Sequence, residues 1–353
     1  MNRIAVVGCG QMGSTYVPII RKLTDVPLIL VEHDRSKWGK SWQEDLQIVE
    51  SIDKVSGCDT AFVLSNTPAH AKNIAALVAR GCRNIFVEKP IVMKLEELQK
   101  LESVMMAYPE VEIYTAYLMN FSGAVNALSE YIDENDLFLR SISVEWGKDR
   151  CGNNRPTAGN LEDESVHGLS ILHRLAQGFG LKAVSLSALT DHTTFVDLGV
   201  QSAAKALDES FPNHPIATSF VQSTWYTERG NFIASLRSSY LRPSQKREVN
   251  GVLTARDGSA HLFSISFDEK DEGGVSDRLM IRKAGPNNLA EVYKSFYVNK
   301  VEAEVKAFLS AADGSIVDGR LTDLDESSFL AEIVDACVKS ATADGQVVEI
   351  AKA

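Results

Sequence analysis

Short, continuous apolar runs separated by helical periodicity fill the first third of the chain. Ile4–Val7 and Leu28–Val31 read as strands buried on both faces, since apolar and polar positions do not alternate in them, and 60–64, 84–87 and 111–115 read as further strands. Between them, the stretch up to Leu23, 69–80 and 95–106 carry apolar residues at helical spacing, and Gly81 stands where a helix C-terminal glycine belongs. Alternating units of this length predict a parallel sheet covered by helices on both sides, a doubly wound α/β fold. From about residue 120 the pattern changes. A strand is expected over 141–146 and a helix over 160–176. Between 217 and 282 the strand-like runs 232–240, 249–255 and 260–267 alternate apolar with polar positions, as in a sheet with one wet face. Helical spacing returns at 301–311 and 327–341. The expectation is two domains: 1–120, Rossmann-like, and 121–353, an α/β domain with a large open, mainly antiparallel sheet.

The length of 353 residues accommodates two such domains, and 44% hydrophobic with 24% charged residues is ordinary for a globular chain. The formal charge of −11 disfavours nucleic acid and anionic lipid as partners. No stretch approaches the ~20 apolar residues of a membrane helix. The first apolar run is too short for a signal-peptide core. Five scattered cysteines with no C-x-x-C pair suit a reducing cytoplasm and no zinc. A small metabolite is the expected partner.

Gly8-Cys9-Gly10-Gln11-Met12-Gly13 directly follows the first strand and opens a helix. In G-x-G-x-x-G the first glycine permits the tight turn, the second admits a pyrophosphate, and the third lets helix and strand pack closely. The helix N-terminus adds free N–H groups and partial positive charge. In Glu32-His33-Asp34, at the end of the second strand, a carboxylate can accept the adenosine ribose hydroxyls and repel a 2′-phosphate. NAD is therefore expected over NADP, with Glu32 favoured and Asp34 as the alternative. Arg35 can stack on adenine or meet a 2′-phosphate, and all these charges can equally be solvated surface.

Three further landmarks join the loop: Ser65-Asn66-Thr67-Pro68-Ala69-His70, Glu88-Lys89-Pro90 at a strand end, and Asp163-Glu164-Ser165-Val166-His167. With them the chain resembles the Gfo/Idh/MocA oxidoreductases over nearly its whole length. The resemblance implies hydride transfer between a nicotinamide cofactor and a carbinol, usually of a sugar, cyclitol or related molecule. By position it implies Lys89, Asp163 and His167 as the catalytic set. It places Ser65, Asn66, Thr67, Glu88 and Pro90 around the cofactor, with His70 lining the cofactor side of the cleft. Asn66 replaces a usual proline, Leu118-Met119-Asn120 an arginine-bearing stretch, and Ser170 a second aspartate. A sugar acid or phosphate that relied on that arginine is disfavoured.

With Asn160 as N-cap, Asp163 would fall in the first helical turn and His167 one turn on. They would share a polar stripe with Ser170 and Arg174. Such an acid also stabilises a helix by about 0.3–1 kcal/mol through the dipole alone, and a polar stripe can simply face water. A metal at Asp163, Glu164 and His167 lacks a further ligand at suitable spacing. Histidine as a residue type titrates near neutrality, so His167 is the expected general base in oxidation and acid in reduction. Lys89 would stabilise developing alkoxide by about 4 kcal/mol at ~4 Å and an effective dielectric of ~20, before desolvation. Both are expected to act on one carbon–oxygen bond, with Asp163 orienting substrate hydroxyls. Trp146, Lys148, Arg150, Asn153, Arg155 and Tyr226 are candidates for polyol contact. An open sheet leaves apolar area uncovered in a monomer, so a homodimer or homotetramer through the sheet is expected. Two rivals stand: a reductase of an imine or nucleotide-linked keto sugar, and a non-catalytic dinucleotide-sensing regulator.

Overall fold

The computed structural model describes residues 2–149, 159–190, 218–284 and 290–352. It divides into two compact units, Met1–Leu118 with Asn299–Ala331, and Met119–Val298 with Glu332–Ala353.

The first unit is built on six parallel strands: β1 (Ile4–Val7), β2 (Leu28–Val31), β3 (Gln47–Val49), β4 (Thr60–Val63), β5 (Asn84–Glu88) and β6 (Glu112–Ala116). Their order is β3-β2-β1-β4-β5-β6, and Val7 lies beside both Val31 and Val63. The order reverses between β1 and β4, which opens a crevice at the strands' carboxyl ends, the usual ligand position in such sheets. Helices α1 (Gln11–Leu23), α2 (His70–Ala79) and α3 (Leu95–Ala107) connect the strands. Ile74, Leu77, Leu98 and Leu101 of α2 and α3 pack on Ala5, Val7, Ile29, Val63, Ile85 and Val87. Phe62 and Phe86 point the other way. They meet Tyr16 of α1 and Phe308 from a distant helix, with ring centroids 5.0–6.4 Å apart.

That helix, Lys300–Ala312, explains why Asn299–Ala331 returns to the first unit. Residues 1–118 supply α1 to this face, and aromatic side chains there need further cover, each worth roughly 1.5–3 kcal/mol when buried. The returning segment is tied down by the Thr115 N–H donating to the Thr322 carbonyl at 2.9 Å and by the Ser327 hydroxyl on Thr115 Oγ1 at 2.7 Å.

The second unit holds nine strands: β7 (Phe138–Asp149), β8 (Leu181–Thr190), β9 (Thr218–Thr227), β10 (Phe232–Ser239), β11 (Leu241–Thr254), β12 (Ala260–Asp271), β13 (Gly274–Lys283), β14 (Ala290–Phe296) and β15 (Val348–Ala351). Their order is β14-β13-β12-β11-β7-β10-β9-β8-β15, antiparallel throughout except for the β7–β10 pair. Val144 and Trp146 of β7 share one face with their partners Leu236 and Ser238 of β10 and Val249 and Arg247 of β11. Helix α6 (Ser165–Gly178) lies on this face. Gly168 allows the close approach, since a Cβ there would stand 2.5 Å from Leu236 and 3.1 Å from Val144. On the opposite face Ser141, Ser143, Gln222, Ile233, Ser235 and Arg282 line a hollow of about 510 Å³.

The expected helix over 160–176 is interrupted. A single turn, α5 (Asn160–Asp163), precedes Glu164, and α6 starts at Ser165. Gly159, not Asn160, is the N-cap. Asn160 is buried and its Oδ1 accepts from the hydroxyls of Ser219 and Ser238, so the sheet's serines draw the side chain away from capping. Ser170 leaves the expected polar stripe too, buried with its hydroxyl on the His167 carbonyl at 2.8 Å. Two more helices were not expected or were shifted: α4 (Gly123–Glu134) and the long terminal helix Leu324–Thr342. Among the described residues no helix is long and apolar enough to cross a membrane.

Candidate active site

Gly8 closes the turn after β1 with φ +104°, and a Cβ there would stand 2.8 Å from the backbone of Leu64 and Ser65. Gly10 is the N-cap of α1, with no side-chain cap and no acid in the first turn, and nothing lies within 4 Å of where its Cβ would be. An uncapped helix N-terminus facing open space suits a pyrophosphate. Gly13 is buried in α1, Gln11 exposed and Met12 half-buried. The Cys9 thiol is buried, and burial first, then the Glu32 charge, push its pKa up to about 12. It stays a thiol at neutral pH.

Glu32 is 4% exposed and clamps the glycine loop to the end of β2. Its Oε2 accepts from the Cys9 N–H at 2.9 Å and its Oε1 from the Asp34 N–H at 3.0 Å. Each oxygen keeps a further lone pair for a ribose hydroxyl. Asp34 is more open and accepts from the Ser36 hydroxyl and N–H, which hold its carboxyl below the usual range. His33 is exposed. Arg35 pairs with Glu50 and lies 5.7 Å over Trp38, so its charge is already matched.

The second loop pair follows β4 and β5. Ser65 and Thr67 are half-buried and Asn66 exposed. Glu88 closes β5, buried, with Oε2 accepting from the Lys89 N–H at 3.2 Å. Lys89 is half-buried. His70 differs from the expected position. It has no exposed surface, and its two ring nitrogens stand 3.0 Å from the carbonyls of Ser65 and Pro90. It braces the loop carrying Ser65 against the loop carrying Lys89 and Pro90 from beneath, because a ring with both edges on backbone carbonyls has none left for a cofactor. Burial pushes its pKa down.

In the second unit, Glu164 in the α5–α6 turn reaches inward with no exposed surface. Its Oε1 takes the Lys148 ammonium at 2.6 Å and stands 3.8 Å from His167 Nε2. The half-buried His167 ring stacks on Trp146, with centroids 5.2 Å apart and planes at 28°. Arg247 lies 5.0 Å over the same indole and pairs with Asp268. Asp163 Oδ2 accepts from the Tyr240 hydroxyl at 3.0 Å.

Asp163, His167, Trp146 and Lys148 are therefore brought to one face of the sheet. Trp146, expected to meet substrate, has no exposed surface and supports His167 instead. Tyr226 follows the inward Trp225 and so projects from the opposite face, away from this group. Arg150, Asn153 and Arg155 lie outside the described residues. Sequence reasoning did not single out Tyr240 or Arg247, and gave Glu164 only a discarded metal role. Residue type alone does not separate a buried partner from a solvated charge.

The family model described as an oxidoreductase family with an NAD-binding Rossmann fold matches residues 2–108. A myo-inositol dehydrogenase of Streptomyces leeuwenhoekii is 31% identical over 102 residues, a match that covers 28% of this chain and only 31% of that relative. Scyllo-inositol dehydrogenase from Lactobacillus casei, solved with NAD(H) and scyllo-inositol, has a similar fold at TM-score 0.70 and 14% identity, covering 99% of each chain. A putative NADPH-dependent oxidoreductase from Desulfitobacterium hafniense superimposes with TM-score 0.74 at 16% identity, covering 99% of this chain and 97% of the other. At such identities these two neighbours share the fold. Residues 2–108 thus match the model of the Gfo/Idh/MocA oxidoreductase family, described by its NAD-binding Rossmann fold.

Proposed function

We propose that the protein is an NAD-dependent oxidoreductase that converts a secondary alcohol of a cyclitol, sugar or sugar derivative to the ketone, or the reverse. One observation carries the reading: a chain with this family's nucleotide-binding fold also holds His167 half-buried, stacked on Trp146 and flanked by the Asp163–Tyr240 and Lys148–Glu164 pairs. The inositol dehydrogenases among its relatives make cyclitols the first substrates to try.

The nicotinamide, when bound, takes up or gives the hydride. Gly8, Gly10 and the α1 N-terminus hold the pyrophosphate, and Glu32 accepts from the adenosine ribose. Lys89 Nζ hydrogen-bonds the reacting oxygen and stabilises its developing charge. His167 removes the hydroxyl proton in oxidation and returns it in reduction. Asp163, steadied by Tyr240, orients a neighbouring substrate hydroxyl. A second copy of the chain covers the outer face of the nine-stranded sheet, where Ile233 is 57% exposed. The setting is cytoplasmic.

The test is a panel of cyclitols, aldoses and sugar nucleotides assayed with NAD and NADP in parallel. Turnover of a polyol with NAD is expected. A clear NADP preference contradicts the role given to Glu32. Cofactor binding without turnover of any compound leaves a dinucleotide sensor in place of an enzyme.

A further inference from the structure

Glu164 has no task in that reaction, yet it is fully buried beside the imidazole that does. A buried carboxylate has to be compensated. The bonds that the structure gives it run through one oxygen: Oε1 meets Lys148 Nζ at 2.6 Å and His167 Nε2 at 3.8 Å. Oε2 is buried without a hydrogen-bond partner among the described residues. A gap of 3.8 Å is too long for a hydrogen bond but well inside the range where a carboxylate favours imidazolium. The turn places Glu164 three residues before His167, with the His167 N–H on the Glu164 carbonyl at 3.2 Å, so the two side chains share one side of the segment.

Among the described residues, charged and titratable groups around the ring come from its own segment and from β7, β11 and β12. Asp163 and Glu164 lie on its own segment, with Tyr240 held on Asp163. Lys148 comes from β7. Beyond the Trp146 indole lie Arg247 of β11 and its partner Asp268 of β12, a matched pair. Glu164 is thus a carboxylate facing Nε2, and Lys148 is paired with it.

We propose that Glu164 is a positioning residue for the reaction, setting the charge state of the His167 imidazole, with Lys148 as its counter-ion rather than a substrate contact. The inference rests on the reading of His167 as acid and base.

Its test is a histidine side-chain NMR titration of the full chain, with the His167 resonance identified by His167→Gln. Glu164→Gln removes the carboxylate charge and leaves the ammonium, so the His167 midpoint falls by about 1–3 pH units. Glu164→Asp keeps the charge but withdraws it, and lowers the midpoint by less. Adding Lys148→Met to Glu164→Gln removes both charges and brings the midpoint back toward wild type. In the oxidation direction the acidic limb of kcat/KM moves with each midpoint. Folded Glu164→Gln and Glu164→Asp proteins with an unmoved midpoint overturn the proposal, as does a double variant that titrates like Glu164→Gln. Midpoints that move as expected while His167→Gln turns over at the wild-type rate uphold the coupling and remove the acid–base reading. Unmoved midpoints with an inactive His167→Gln do the reverse.

Discussion

Gly8 and Gly10 belong to one motif and constrain the chain in different ways. At Gly8 a side chain would face both a left-handed backbone and the main chain of Leu64 and Ser65 at 2.8 Å. Gly8→Ala should lower stability by roughly 2 kcal/mol or more, read as the urea midpoint. At Gly10 the added methyl meets no protein atom. Gly10→Ala should keep its urea midpoint and lose at least about tenfold in dinucleotide affinity, because the methyl occupies the pyrophosphate's approach. Equal loss of stability in both variants would contradict that division. The spacing of these glycines and the acid at Glu32 were legible in the sequence, since the turn and the strand end demand those residue types. The burial of His70 and Glu164 was not. A histidine on two backbone carbonyls and one beside a cofactor have the same letter, and only the folded environment separates them.

Among the elements, five strands of the first sheet were legible from short apolar runs, whereas β3 was not, being three residues long with Gln47 exposed. The return of Lys300–Ala312 to that sheet was not, because a helix's apolar face does not say which sheet it covers. Its docking creates a buried acidic group. Glu304 on that helix lies beside Tyr16, whose hydroxyl approaches its Oε2 at 3.5 Å. Burial first, and then the charge of Glu88, hold the Glu304 carboxyl well above its ordinary 4.5. The folded chain thus keeps this proton more tightly than the unfolded chain. The stability it contributes is complete below pH 4.5 and is lost as pH rises toward the raised folded value. Glu304→Gln should therefore flatten the fall in urea midpoint between pH 5 and pH 8 and make the protein more stable at the upper end. An unchanged slope would contradict the assignment. On the acid side, the His173 imidazole is pushed down to about 3, chiefly by burial. Its contribution is lost as pH falls from the ordinary 6.5 toward that value. The break of the expected 160–176 helix at Glu164 was hidden for a related reason: Asn160 is a good cap by type, but the Ser219 and Ser238 hydroxyls took its oxygen.

At the scale of the molecule, the fold class followed from the change of periodicity near residue 120, and the candidate site residues rest on motifs set in that frame. The open face of the large sheet is where the chain should meet its own copy. Ile233→Glu should shift sedimentation from an oligomer to a monomer while leaving the urea midpoint of the monomer near wild type. A wild-type chain that is monomeric at micromolar concentration would contradict this. The reading of the protein as an enzyme depends most on Lys89 acting on the reacting oxygen and not on holding the cofactor. Dinucleotide binding and nicotinamide absorbance should be measured side by side for wild type and Lys89→Met, on the best substrate of the panel. Lys89→Met should keep an affinity within about threefold of wild type and turn over more slowly by about 10² or more. Turnover near the wild-type rate, or a rate lost only in step with cofactor affinity, would contradict that reading.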